Sequence, residues 1–164
     1  MAEKMSGLSR DLIIHPGETL KEILEDRGMT QRELAMRTDV KEPHISGIVN
    51  CQKPISVSFA KKLEYALGVE ASFWINLQAN YEKELADYEE MNQVSPEELS
   101  MLQRLRELNQ HTGNNTITSS DAQDHMLVIE WRKRLHVSNL AVVPQLYPGE
   151  KIMDALKRIE KSAG

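Results

Sequence analysis

The stretch from Thr30 to Val49 constrains this chain more than any other. Thr30 stands before a helix-forming run, and Glu33 follows three residues later. That spacing is a capping box, in which hydroxyl and carboxylate satisfy the free amides of a helix start. Leu34 and Ala35 point inward, and the run is expected to reach about Arg37. Thr38-Asp39-Val40 reads as a turn. Lys41 or Glu42 then opens another helix, where Pro43 is tolerated only in the first turn. Ile45, Ile48 and Val49 fall on one face of it. A connection of about three residues forces the two helices to cross steeply. Ala35 suits their closest approach, where a larger side chain would push them apart.

This is the pattern of a helix-turn-helix. The inner residues seat the later helix on a core and leave Glu42, Pro43, His44, Ser46 and Gly47 free to enter a major groove. Flanking signals complete a five-helix unit. His15-Pro16-Gly17 opens a helix with Leu20, Ile23 and Leu24 on one face, and Gly28 ends it. After the loop Asn50 to Pro54, Ser56 or Ser58 caps a fourth helix carrying Phe59, Leu63, Ala66 and Leu67, which Gly68 stops. A fifth carries Phe73, Trp74 and Leu77. With few aromatic residues, the core must be aliphatic, which suits packed helices. The fold class expected is all-α, with a helical C-terminal region following the helix-turn-helix domain.

The boundaries read as an arm over 1–14, the helix-turn-helix domain over 15–80, a helical extension or linker over 81–94, and the C-terminal region over 95–164. In that region Ser95-Pro96-Glu97-Glu98 is a strong helix start. Leu99, Leu102, Leu105 and Leu108 make an apolar stripe, expected to pack within the chain or a dimer, and Gly113-Asn114-Asn115 ends it. Ser120 starts another helix through Met126, Leu127, Ile129 and Leu135. Leu140 to Val143 is the nearest approach to a strand, Pro144 and Pro148-Gly149 break the chain, and a last amphipathic helix spans about 150–161.

The net charge of −5 looks wrong for a nucleic-acid binder. Its distribution matters more. Residues 1–68 hold ten Lys/Arg and ten Asp/Glu, so the acidic excess belongs entirely to the remainder. A DNA binder needs a local basic surface rather than a basic total. One cysteine, Cys51, excludes an intrachain disulfide framework and a multi-cysteine zinc site. The five histidines show no metal spacing. Neither a membrane span nor a signal core is apparent, so a cytoplasmic protein with no membrane partner is expected. No nucleophile elbow, phosphate loop or metal cluster appears, so neither enzymatic activity nor a cofactor is expected.

The residues from His15 to Tyr81 resemble antitoxins of the HigA/VapI group, within the Xre/Cro-repressor superfamily. The matching stretches are IHPGETLKEILEDRGMTQRELA, ISGIVNCQKPIS and FAKKLEYALGVEASFWINLQANYE. The His-Pro-Gly opening and the Phe-Trp-Ile-Asn-Leu-Gln ending are far more specific than a bare helix-turn-helix pattern. The resemblance covers about 67 of 164 residues. It implies a homodimer on palindromic operator DNA, which represses its own promoter and neutralises a ribonuclease toxin.

Carried over by position, Gln31 would contact a phosphate, beside the exposed amides of a helix start. Glu42, Pro43, His44 and Gly47 would face base edges, and Asn50 and Lys53 would hold the backbone. Arg32 and Lys41 complete the candidate DNA-binding set, with Lys53 supplying charge for counterion release. The chain departs from the family pattern at four positions. Asp39 replaces the usual turn glycine but tolerates the left-handed conformation. Cys51 replaces the glycine after Asn50, which strains that loop if it needs a positive φ. Glu42 and Gly47 stand where relatives often carry Arg or polar residues. Base readout is therefore expected to be sparse, leaving weight on DNA shape.

The run EWRKRLHVSNLAVVP resembles a segment of longer relatives in which a zinc-peptidase-like domain with His-Glu-x-x-His follows. No such motif occurs in this sequence. Arg132-Lys133-Arg134 is too short to count as a second DNA contact. Three readings stand: an antitoxin and repressor; a toxin-independent Xre-type regulator, as the front part of a longer protein or a variant without the peptidase part; and a non-DNA adaptor.

Overall fold

The computed structural model describes residues 10–110, 121–149 and 151–162. Most of the expected N-terminal arm, the Gly113-Asn114-Asn115 stop and the Ser120 helix start lie outside the described residues. Those described are helical, with no strand among them. They form two compact units, Met1–Tyr88 and Glu89–Gly164.

The first unit opens with a 3-10 turn, Arg10–Leu12. Helix α1, Pro16–Arg27, is capped by His15, whose Nδ1 accepts the Gly17 N–H at 2.8 Å. It ends on Gly28 at φ 61°, the left-handed position that glycine takes without a Cβ penalty. Helix α2, Gln31–Thr38, starts on Thr30, whose Oγ1 accepts the Glu33 N–H. Only this half of the expected capping box is used. The Glu33 carboxylate turns forward to Arg37, accepting from Nε at 3.0 Å and from a terminal guanidinium nitrogen at 2.9 Å. Helix α3 is Glu42–Val49, with Pro43 in its first turn. Of the two candidate caps for α4, Val57–Leu67, Ser56 is the one used, its Oγ accepting the Phe59 N–H. Helix α5 runs from Ala71 to Asn92, so the acidic stretch after Tyr81 is helical.

Leu20, Leu24, Leu34, Ala35, Ile45, Ile48, Phe59, Leu63 and Trp74 make one buried cluster. Each fully buried aliphatic side chain here contributes about 1.5–3 kcal/mol relative to exposure. Ile55, in the loop before α4, donates its N–H to Gln78 Oε1 on α5 at 2.9 Å, which fixes where that loop can lie.

The second unit has its own core. Leu102 and Leu105 of α6 (Pro96–Gln110) pack with Val128, Trp131 and Leu135 of α7 (Asp121–Leu135) and with Leu140, Val143, Ile152 and Leu156. The leucine stripe of α6 is therefore internal packing. The segment from Leu140 to Val143 is not a strand. A 3-10 turn, Leu140–Val142, runs into the short α8, Val143–Leu146, and the Asn139 side chain accepts the Ala141 N–H. Pro144 starts this helix rather than breaking the chain, because a first-turn position needs no N–H donor. Helix α9 is Lys151–Ser162.

Glu98 and Arg132 are buried together in this unit. The guanidinium pairs bidentately with Glu98 and donates to Glu90 at 2.8 Å, while Glu98 also accepts the Leu140 N–H at 3.0 Å. Burial alone would push the Glu98 carboxyl up. The hydrogen bonds from Arg132 and Leu140 outweigh it and hold the carboxyl below its usual range. Arg132 is thus a core residue, and Arg134 lies over the Trp131 ring at 5.2 Å. Of the charge cluster seen in the sequence, Arg132 is internal, while Lys133 and Arg134 are exposed.

Candidate nucleic-acid interface

The turn between α2 and α3 is built on Asp39, at φ 52° and ψ 45°. Its neighbour Val40 donates its N–H to Ala35 O at 3.1 Å, closing the end of α2. Lys41 then extends the backbone and α3 begins. Ile45 and Ile48 are fully buried and Val49 nearly so. These three side chains fix the rotation of α3 about its axis, and that rotation decides what faces outward.

Glu42, Pro43 and Asn50 are exposed, and Ser46 is half-buried. Asn50 Nδ2 donates to Ser46 Oγ at 3.2 Å, so these two polar groups form one ridge at the end of α3. Lys41, Arg32 and Lys53 are exposed, while Gln31 is half-buried at the start of α2. At a helix start the backbone amides and the helix dipole favour an anion. Among these groups the cations Arg32, Lys41 and Lys53 outnumber the single carboxylate, Glu42. Arg37 is engaged by Glu33, and Arg27 donates to Leu67 O at 2.6 Å.

Two residues lie differently from the sequence expectation. His44 is half-buried, with its ring edge-on to Phe59 at 5.2 Å and 85°. It belongs partly to the core. Gly47 is buried, although it lies one turn after Pro43 on the outward side of α3. What covers it is Lys53: a Cβ at position 47 would sit 2.8 Å from Lys53 Cδ. Sequence reasoning missed this arrangement. The one available signal was a glycine in the middle of a helix, where it costs about 0.5–1 kcal/mol relative to alanine.

The departures at Asp39 and Cys51 behave as their backbone demands. Both residues are left-handed, Cys51 at φ 62°. Partial burial pushes the Cys51 thiol up, Glu18 adds to this, and Lys21 opposes it. A thiol held up in this way carries less thiolate, which makes it less reactive. No group of three or more His, Cys, Asp or Glu among the described residues has the arrangement of a metal site. No helix among them is long and apolar enough to cross a membrane.

Two packed helices joined by a short left-handed turn, with an outward face on the second, define a helix-turn-helix protein. The family model described as Helix-turn-helix matches residues 20–74. Virulence-associated protein I of Dichelobacter nodosus is 32% identical over 80 residues, which cover 48% of this chain and 74% of that protein. Virulence-associated protein A of the same organism is 42% identical over 69 residues, covering 41% and 68%. The chain belongs to the HigA/VapI-type family of Xre helix-turn-helix proteins. Among solved structures, the Pseudomonas aeruginosa antitoxin HigA with the higBA promoter is 32% identical. The match covers 51% of this chain and 96% of that one, with a TM-score of 0.45. PA4674 of the same organism, in complex with its operator DNA, is 36% identical over 44% of this chain and 80% of that one, with a TM-score of 0.44.

Proposed function

We propose that this chain is an autorepressing antitoxin. As a homodimer it sets the outward face of α3 into the major groove of a palindromic operator, and it also neutralises a toxin protein. The observation that carries the reading is the seating of α3. Ile45 and Ile48 anchor it in the core, while Glu42, Pro43 and Asn50 stand exposed with Lys41 and Lys53 beside them. In this docking Gln31, Arg32, Lys41 and Lys53 meet phosphates, and Glu42, Pro43 and the free edge of His44 meet bases. Glu42 is an acceptor for a cytosine amino group. Few side chains reach base edges, so DNA shape carries a large share of the recognition. The chain acts by binding rather than by catalysis.

The test is selection from a pool of randomised duplexes by the full chain, followed by titration of the selected duplex at several salt concentrations. The reading expects two half-sites about one helical turn apart, roughly 34 Å, or a multiple of it. It also expects affinity to fall steeply with salt. Gln31→Ala should weaken binding to all sequences alike, because phosphate contacts position rather than specify. A chain that retains no duplex above background overturns the reading.

The second unit favours a second reading. The matches to the two virulence-associated proteins cover less than half of this chain, and the described residues of the second unit have their own core, with Glu98 and Arg132 buried as well. A toxin-independent regulator whose second unit senses a signal or dimerises accommodates that. Co-expression with the protein encoded beside it separates the two. Rescue of growth from that neighbour supports the antitoxin, and DNA binding without rescue supports the regulator.

A further inference from the structure

We infer that Gly47 is a positioning residue for Lys53, and that the pair delivers one cation from the loop after α3 onto the outward face of α3. The inference rests on the DNA-binding reading above.

Three observations carry it. First, position 47 lies on the outward side of α3 by helical period, one turn after exposed Pro43 and opposite Ile45, Ile48 and Val49. Its burial is therefore not core burial. Second, the Lys53 stem covers it: Cδ, Cγ and Cε would lie 2.8, 3.1 and 3.2 Å from a Cβ at position 47. Lysine stems bury their methylenes along such a surface and keep the ammonium in water. Third, the backbone pins the loop at the same point. The Gly47 carbonyl accepts both the Gln52 N–H at 2.8 Å and the Lys53 N–H at 3.1 Å.

Lys53 thus occupies the place where a side chain from position 47 would otherwise project. The cation there comes from the loop instead of the helix, and its stem is held before DNA arrives. A methyl group at position 47 leaves the backbone intact, because what it meets is the flexible stem of Lys53. The stem swings off the helix and the charge leaves the face.

The experiment is a double-mutant cycle in the full chain, read on the selected duplex. Gly47→Ala, Lys53→Ala and the double variant are titrated across a salt series. Lys53→Ala is expected to lower the magnitude of the salt slope by about 0.9, the value for one phosphate contact. Gly47→Ala is expected to lower it by the same amount although Lys53 is still present, and the double variant to match either single one. The Gly47→Ala chain should meanwhile unfold at the same or a higher urea concentration, since alanine is the better helix former. That result separates lost positioning from lost folding. An unchanged slope in Gly47→Ala, or losses that add in the double variant, overturns the inference. A wild-type chain that selects no duplex overturns the DNA reading and this inference with it.

Discussion

Gly17 faces the carbonyl oxygen of Ile48: a Cβ on Gly17 would lie 1.8 Å from that atom. The start of α1 therefore touches the backbone of α3 directly. Unlike the lysine stem over Gly47, a main-chain carbonyl in a seated helix cannot swing aside. Gly17→Ala should destabilise the first unit by about 1–3 kcal/mol, the usual range for overpacking. Urea unfolding followed by Trp74 emission in a Trp131→Phe background measures it. A midpoint equal to that of the parent would mean that α1 and α3 have slack between them.

His15 predicts a pH dependence. Burial lowers its pKa from the ordinary 6.5, with Glu18 opposing. Its Nδ1 must be unprotonated to accept the Gly17 N–H, and the ring is edge-on to Tyr81 at 4.7 Å. The unfolded chain therefore binds the proton more readily than the folded one, and stability falls as pH falls. The loss should begin as pH drops through about 6.5 and level off below the folded pKa. His15→Asn keeps a capping acceptor but does not titrate. The stability difference between the two chains should shift against the wild type between pH 7 and 5. Parallel profiles would remove His15 as the titrating group.

Cys51 predicts a stabilising substitution. A left-handed residue with a Cβ costs roughly 1–2 kcal/mol, and glycine returns about 0.5–1 kcal/mol of that through its freer unfolded chain. Cys51→Gly should thus gain up to about 1 kcal/mol, while Cys51→Ala, which keeps the Cβ, should gain nothing. Equal midpoints for the two variants would show that backbone strain is not the cause.

Glu98→Ala should destabilise the second unit by about 3 kcal/mol. Removing one partner of a buried pair usually costs about 3–5 kcal/mol, and the bond that Arg132 keeps to Glu90 places this case at the lower end. Trp131 emission in a Trp74→Phe background reads the transition. A shift of only a few tenths of a kcal/mol would mean that water reaches Arg132 and replaces the carboxylate.

Most of the first unit was legible because its signals are short in sequence. Thr30 and Ser56 cap the helices that follow them, Gly28 and Gly68 stop the helices before them, and Asp39 holds the turn. The recognition face was legible only in part. Helical period places Glu42 and Pro43 outward, and they are exposed. The same period assigns Gly47 to that face without revealing that Lys53 covers it, and assigns His44 there without its contact to Phe59. In the second unit the sequence showed Arg132-Lys133-Arg134 only as a basic cluster too short for a DNA contact, and did not reveal that Arg132 is buried. Its partner Glu98 lies 34 residues earlier, hidden in what reads as an ordinary helix start.

The sequence by itself determined helices α1 to α4 and the tight turn, because each depends on residues within about four positions of one another. The tertiary structure alone decided which outward positions stay open and which charges go inside. Lys53 over Gly47, Gln78 under Ile55 and Arg132 against Glu98 all join segments whose meeting depends on how the helices pack, and no periodicity along the chain records that.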